Sequence, residues 1–205
     1  MAETTSNSTT GATDSPEPGT RTRILDAAER LVQTRGFNGF SYADVAAELG
    51  ITKAGLHYHF PGKAELGEAL ISRYAERFSA ELERLDADGL APRAKLSAYA
   101  ALYADVLRQN RMCLCGMLAA EYETLPPPMR DAILRFFDHN QGWLQRVMEA
   151  GRADDSMGFD GTAEDGAHTL LGGLEGAMLV ARPYRDVSRF QAAATRLIAG
   201  VTGAS

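Results

Sequence analysis

Apolar residues return along this chain at the three-and-four spacing of an amphipathic helix, segment after segment, and nowhere alternate long enough for a strand. Ile24, Leu25, Ala28, Leu31 and Val32 share one face of a segment that the pattern predicts as helical from about Thr20 to Arg35, ended by Gly36. Ser41 is a good N-cap with Asp44 three residues on, so a second helix should carry Val45, Ala46 and Leu49 inward and stop at Gly50. Thr52 then caps a third, short helix through about His59, with Ile51 and Leu56 as its buried contacts. Pro61 and Gly62 break the chain.

Longer helices should follow. The first, Lys63 to about Ala87, places Leu66, Leu70, Tyr74, Phe78, Leu82 and Leu85 on one stripe. Pro92 opens another, with Leu96, Tyr99, Leu102, Tyr103, Val106 and Leu107 inward. Residues 113–125 read as a short helix or irregular turn before the break at Pro126 to Pro128. A long helix then carries Met129, Ile133, Phe136, Phe137, Leu144, Val147 and Met148, and two more should span about Thr162 to Ala181 and Val187 to Gly200.

Residues 1–19, built from Thr, Ser, Gly, Pro and acid, lack the apolar surface to offset their ordering entropy and are expected to be a disordered tail. The fold class is therefore all-α, with an N-terminal three-helix unit over residues 20–66 and a larger helical bundle over 67–205.

Charge refines this picture. The whole chain carries a formal net charge of -6, which argues against a protein that coats nucleic acid by charge alone. Residues 21–77 nevertheless hold eight basic and seven acidic groups and are the part that leans positive. No apolar run approaches the roughly 20 residues of a membrane span, and the N-terminus has no basic cluster or apolar core of a signal peptide. Cys113 and Cys115, one residue apart, are poorly placed for an unstrained disulfide. A reducing, cytoplasmic home follows, with no membrane partner.

Three short helices ahead of a long one suit a helix-turn-helix, whose recognition helix must fit a major groove roughly 12 Å wide. Gly50 can take the left-handed conformation that reverses the chain between the second and third helices. The continuous run from Gly36 through Ser41-Tyr42-Ala43-Asp44-Val45-Ala46 and Leu49-Gly50-Ile51-Thr52-Lys53-Ala54-Gly55-Leu56-His57-Tyr58-His59 to Lys63 resembles the DNA-binding domain of the TetR family. The resemblance covers about residues 20–66 and implies a DNA-binding transcriptional regulator, typically a dimeric repressor released by a small molecule.

It also implies that the helix starting at Thr52 enters the major groove of a double-stranded operator, with Lys53, Gly55, His57 and Tyr58 near base edges or backbone. Ser41, Tyr42, Thr52, His59 and Lys63 stand where the family contacts phosphates. Phe37, Phe40 and Phe60 read as core.

In the larger bundle, an apolar or aromatic ligand would find candidate pocket residues in Tyr103, Cys113, Met117, Phe136, Phe137, Trp143 and Met178, with Tyr99, Tyr122, His139 or His168 as polar anchors. Gly172, Gly173, Gly176 and Ala177 form a small-residue face on the penultimate helix. Together with Phe190 and Leu197 it suits a two-fold homodimer interface, or equally the lining of a cavity.

Cys113 and Cys115 raise a rival, thiol-based sensing of oxidants or electrophiles, which requires an exposed thiol of lowered pKa. A helical enzyme or an adaptor is the more distant alternative. The carboxylates and histidines show no nucleophile-base spacing, phosphate loop or metal quartet, so no catalytic residue, metal or cofactor is assigned.

Overall fold

The computed structural model describes residues 19–202. Apart from Gly19, the proposed tail lies outside the described residues. Helices α1 (Thr20–Arg35), α2 (Tyr42–Leu49) and α3 (Lys53–His59) precede the long α4 (Lys63–Ala87). They are followed by α5 (Pro92–Arg108), the short α6 (Leu114–Ala119), α7 (Pro127–Ala153), α8 (Ala163–Ala181) and α9 (Val187–Thr202). Single 3-10 turns at Tyr122–Thr124 and Arg182–Tyr184 complete the described secondary structure, which includes no strand.

The helix ends follow from local chemistry. Gly36 and Gly50 take positive φ values of 84° and 65°, which let the chain turn away after α1 and α2 without the steric cost a β-carbon would bring. Thr52 and Thr162 accept the N–H groups of Gly55 and Asp165, each at 3.0 Å, and so satisfy free donors at the starts of α3 and α8. Prolines sit in the first turn of α5 and α7, where a missing N–H costs nothing.

Periodicity becomes packing in the expected way. Ile24, Leu25, Ala28, Leu31 and Val32 of α1 are buried, as are Val45 of α2, Leu56 of α3 and Leu66 and Leu70 of α4. Burying each large aliphatic side chain is worth about 1.5–3 kcal/mol, so this small interior can hold three short helices together. Charge adds to it: Arg73 of α4 pairs with Glu29 and Asp26 of α1, both at 2.7 Å, and Arg77 reaches Glu29 at 2.5 Å.

The larger bundle packs α5, α7, α8 and α9 together, and its buried residues continue the core of the first three helices. Tyr99 and Tyr103 of α5 are buried there, their hydroxyls 3.0 Å apart, and Tyr99 also donates to Asn140 Oδ1 of α7 at 3.0 Å. Asn140 in turn donates to the Phe136 carbonyl at 2.8 Å, so this buried polar chain carries its own partners.

Candidate nucleic-acid interface and regulatory core

The α2-turn-α3 unit is held from both sides. Ser41 closes the start of α2 with Asp44, whose Oδ2 accepts the Ser41 N–H and hydroxyl, both at 2.6 Å. Those hydrogen bonds keep the Asp44 carboxyl below the usual carboxylate range. The Ile51 N–H donates to the Ala46 carbonyl at 3.1 Å, and Leu56 pins α3 to the core.

This leaves the outer face of α3 free. Lys53 is exposed, and Tyr58, at 85% exposure, presents its whole ring to solvent. His57 Nδ1–H donates to the Pro61 carbonyl at 3.0 Å, which fixes the ring and leaves Nε2 as its acceptor in that tautomer. The His57 ring also packs on Tyr42 at 4.8 Å, and the His59 ring sits edge-on to Tyr58 at 5.2 Å. A β-carbon on Gly55 would meet only its own cap, Thr52 Oγ1, at 3.4 Å, so the helix surface there is backbone.

Two expected phosphate contacts are engaged elsewhere. Lys63 Nζ donates to the carbonyls of Phe37 and Phe40, both at 2.5 Å, and lies over both rings, at 4.6 and 4.3 Å from their centroids. In the absence of DNA this cation thus closes the α1–α2 turn, giving both carbonyls a donor. The Tyr42 hydroxyl likewise donates toward the Phe60 and Gly62 carbonyls, at 3.1 and 2.5 Å. Thr52, whose hydroxyl caps α3, and Ser41 remain exposed.

This geometry has close counterparts. Residues 24–70 match the family model described as bacterial regulatory proteins, tetR family, and residues 92–197 match the tetracyclin repressor-like C-terminal domain. The chain belongs to the TetR family. A transcriptional regulator of this family from Agrobacterium tumefaciens superposes with a TM-score of 0.85 at 31% identity, covering 89% of this chain and 97% of that one. A TetR regulator from Legionella pneumophila gives 0.80 at 30% identity, over 88% and 96% of the two chains. The transcriptional regulator AcuR of Cereibacter sphaeroides is 26% identical over 163 residues, 78% of this chain and 74% of its own length. The protein is thus a DNA-binding transcriptional regulator of the TetR type.

In this TetR-family chain the candidate ligand residues do not line a common cavity. Tyr99, Tyr103, Phe136, Phe137 and Trp143 belong to one aromatic cluster, in which Phe78 of α4 meets Tyr99, Tyr103 and Phe136 edge-on and Trp143 stacks on Tyr99 at 5.6 Å. Met178 and Cys113 are buried, whereas Met117 is half-buried against Arg182. Tyr122 lies outside the cluster beneath Arg130, and His168 is exposed on α8. His139 is exposed too and bonds to Ser79 at 3.2 Å, along a groove of about 1000 Å³ between α4 and α7 that takes in Phe136 but none of the other candidates. Helical spacing alone had not separated the inner face of α7 from its flank.

The thiols are packing groups. Cys113 and Cys115 are buried at the start of α6, and burial pushes both well above the ordinary thiol value, with the nearby Glu175 adding to the effect. A reactive thiolate needs the opposite. Nothing in the comparisons favours redox sensing either.

On the small-residue face, Gly172 and Gly176 are exposed with open space above them, beside the exposed Leu179, Val180 and Tyr184. Phe190 is buried within the subunit, and a β-carbon on Gly173 would lie 2.7 Å from Leu197, so Gly173 and Leu197 meet where α8 packs on α9. Gly173 and Leu197 remain half-buried at the surface of the subunit. Ala177 is half-buried.

The residues that join the helix-turn-helix to the bundle escaped sequence reasoning. Glu121, just after α6, accepts the N–H of Phe37 at 2.6 Å and that of Asn38 at 3.2 Å. Asn38 donates to Thr124 at 2.8 Å, and the Met112 N–H donates to the Gln33 carbonyl at 3.1 Å. Arg182, at the end of α8, donates to the Thr34 carbonyl. The segment around α6 and the end of α8 therefore both meet the α1 side, and no local pattern announces such long-range pairs.

Proposed function

We propose that the protein is a homodimeric repressor whose α3 enters the major groove of its operator and whose larger unit, over residues 67–205, releases DNA when it binds a small apolar or aromatic molecule. Residues 20–66 are the DNA-binding unit. Lys53, Gly55, His57 and Tyr58 face base edges, while Ser41, Thr52 and His59 lie near the phosphates. The exposed end of α8 pairs two copies. The reading places the protein in the cytoplasm, with no catalytic activity of its own.

The observation that carries it is the exposure of the Tyr58 ring and of Lys53, which has no ion pair among the described residues, on a short helix whose backbone is capped and pinned. On a short helix held in this way, a ring with a hydroxyl and a flexible cation are groups that can contact base edges and phosphates.

Fluorescence anisotropy with a labelled fragment from the region upstream of its own gene provides the test. Binding should saturate at low salt, with two subunits per site, and weaken steeply as salt rises. Retention of no upstream fragment at low salt would overturn the proposal.

A further inference from the structure

A cleft of about 650 Å³ opens where the ends of α1 and α5 meet the turn that joins α8 to α9. None of its lining residues belongs to the aromatic cluster of the bundle or to the groove between α4 and α7. Three arginines line it, Arg111, Arg182 and Arg185, against one acid, Asp186. Asp186 is already committed: its Oδ1 accepts the Ser188 N–H at 3.0 Å and the Ser188 hydroxyl at 2.6 Å, and Arg189 pairs with it at 3.6 Å. Arg182 donates to neutral acceptors, the Thr34 carbonyl and the Met117 sulfur. Arg111, Arg182 and Arg185 enter no ion pair among the described residues.

The backbone points to the same place. Asn110 and Arg185, with φ values of 56° and 51°, both line this cleft. Asn adopts that left-handed conformation readily, whereas Arg meets a steric cost in it. Residues held in this way cluster at ligand clamps and switch regions. Guanidinium groups gathered on one cleft repel one another and focus a positive field into it. An oxyanion relieves that repulsion and accepts the paired N–H bonds that a planar fork offers.

We propose that this cleft binds a small organic oxyanion, a carboxylate or phosphate monoester carried on an apolar body. Arg111, Arg182 and Arg185 take the anionic head, and Leu107, Leu179 and Val187 supply apolar lining for the body. The site is additional to the release by an apolar molecule set out above, and its occupancy does not depend on DNA binding. Its link to the DNA-binding unit, which does rest on that reading, runs through Arg182. A bound anion competes with the Thr34 carbonyl for this guanidinium, and so loosens the hold of the bundle on α1. The segment that carries Arg111 ends on the same stretch of α1, through the Met112 N–H and the Gln33 carbonyl at 3.1 Å.

Calorimetry on the full-length protein tests the site, with phenyl phosphate and phenylacetate as the anions and benzyl alcohol and benzylamine as neutral and cationic controls. At least one anion should bind about tenfold more tightly than either control and weaken as salt rises, and the tighter of the two identifies the head group. Arg185→Gly removes the guanidinium and relieves the backbone, so it should melt no lower than the unaltered protein and yet lose about tenfold in anion affinity. Arg111→Gln should lose a similar factor, and keeps the test decisive if the first variant folds poorly. No binding of either anion, equal binding of benzyl alcohol, or undiminished affinity in either variant overturns the proposal. Operator anisotropy with saturating anion should show weaker DNA binding, and an unchanged operator affinity overturns the competition at Arg182. Operator binding without anion, measured alongside, separates these failures from failure of the DNA-binding reading.

Discussion

Glu121 accepts the main-chain N–H of Phe37 at 2.6 Å, joining two residues that lie 84 positions apart in the chain. The same carboxylate takes the Asn38 N–H, so one side chain of the bundle satisfies two donors left free where α1 ends. A charged acceptor makes these bonds stronger than neutral ones. Replacing Glu121 with Ala should therefore cost roughly 2 kcal/mol of stability, with Glu121→Gln losing less. Chemical denaturation checks the order of the three proteins, and equal midpoints would show that the contact carries no energy.

Lys53 and Lys63 should behave differently despite their equal charge. Lys53→Ala is expected to weaken operator binding by about 1–3 kcal/mol and to reduce the salt slope by about one ion. Lys63→Ala, which frees the Phe37 and Phe40 carbonyls, should lower the melting temperature and leave the salt slope unchanged. Anisotropy titrations at several salt concentrations, paired with thermal melts, discriminate the two.

Gly50 isolates a purely conformational cost. Its φ is 65°, yet a β-carbon there would meet no atom within 4 Å. Gly50→Ala should destabilise by about 1–2 kcal/mol through backbone strain alone, and Gly50→Asn by less. Thermal unfolding of both variants is the measurement.

Tyr99→Phe removes the hydroxyl that serves both Asn140 and Tyr103. The cavity is negligible, but Asn140 Oδ1 loses its donor inside the core, at an expected cost of about 1–3 kcal/mol. A denaturation midpoint equal to that of the unaltered protein would place water or another donor at that oxygen.

Glu175 predicts a pH dependence of stability. Burial pushes its carboxyl up to about 7 in the folded chain against an ordinary value of 4.5, so folding takes up a proton between those limits. The folded state binds more protons there, and stability must fall as pH rises from about 4.5 to 7, by roughly 3 kcal/mol in total. The carboxyls of Asp44, Asp165 and Asp186 are shifted downward by their hydrogen bonds and act in the opposite sense at more acid pH. Melting temperatures across pH 5 to 8 should show the decline, and Glu175→Gln should flatten it.

Much of this architecture was legible before any coordinates. Caps and breakers such as Ser41, Gly50, Thr52 and Pro92 act on their own few residues, so the ends of α1 to α4 and the start of α5 could be read directly from them. The outer face of α3 was legible for the same reason. What escaped depends on the meeting of distant segments. Glu175 looked like one more polar residue on a helix of small ones, and only packing against α6 leaves its Oε1 buried without a hydrogen-bond partner. The bonds of Lys63 to the Phe37 and Phe40 carbonyls escaped because these groups become neighbours only when α4 closes on the α1–α2 turn. Helix periodicity marks what faces inward without saying which inward groups meet, and the pocket candidates divided along that line.

Helix α4 has 25 residues, a rod about 37 Å long, tied at its start by Lys63 and near its other end by Asp86, which accepts from Trp143 Nε1 at 3.0 Å and pairs with Lys95 at 2.6 Å. Such a rod is a lever with its fulcrum in the bundle: tilting it by about 5° around the Asp86 end swings the Lys63 end by about 3 Å. In a pair of subunits the two swings combine to about 6 Å, a span error of nearly two base-pair steps of duplex, so the tightness of two small anchors sets how well both reading heads stay in phase with the grooves.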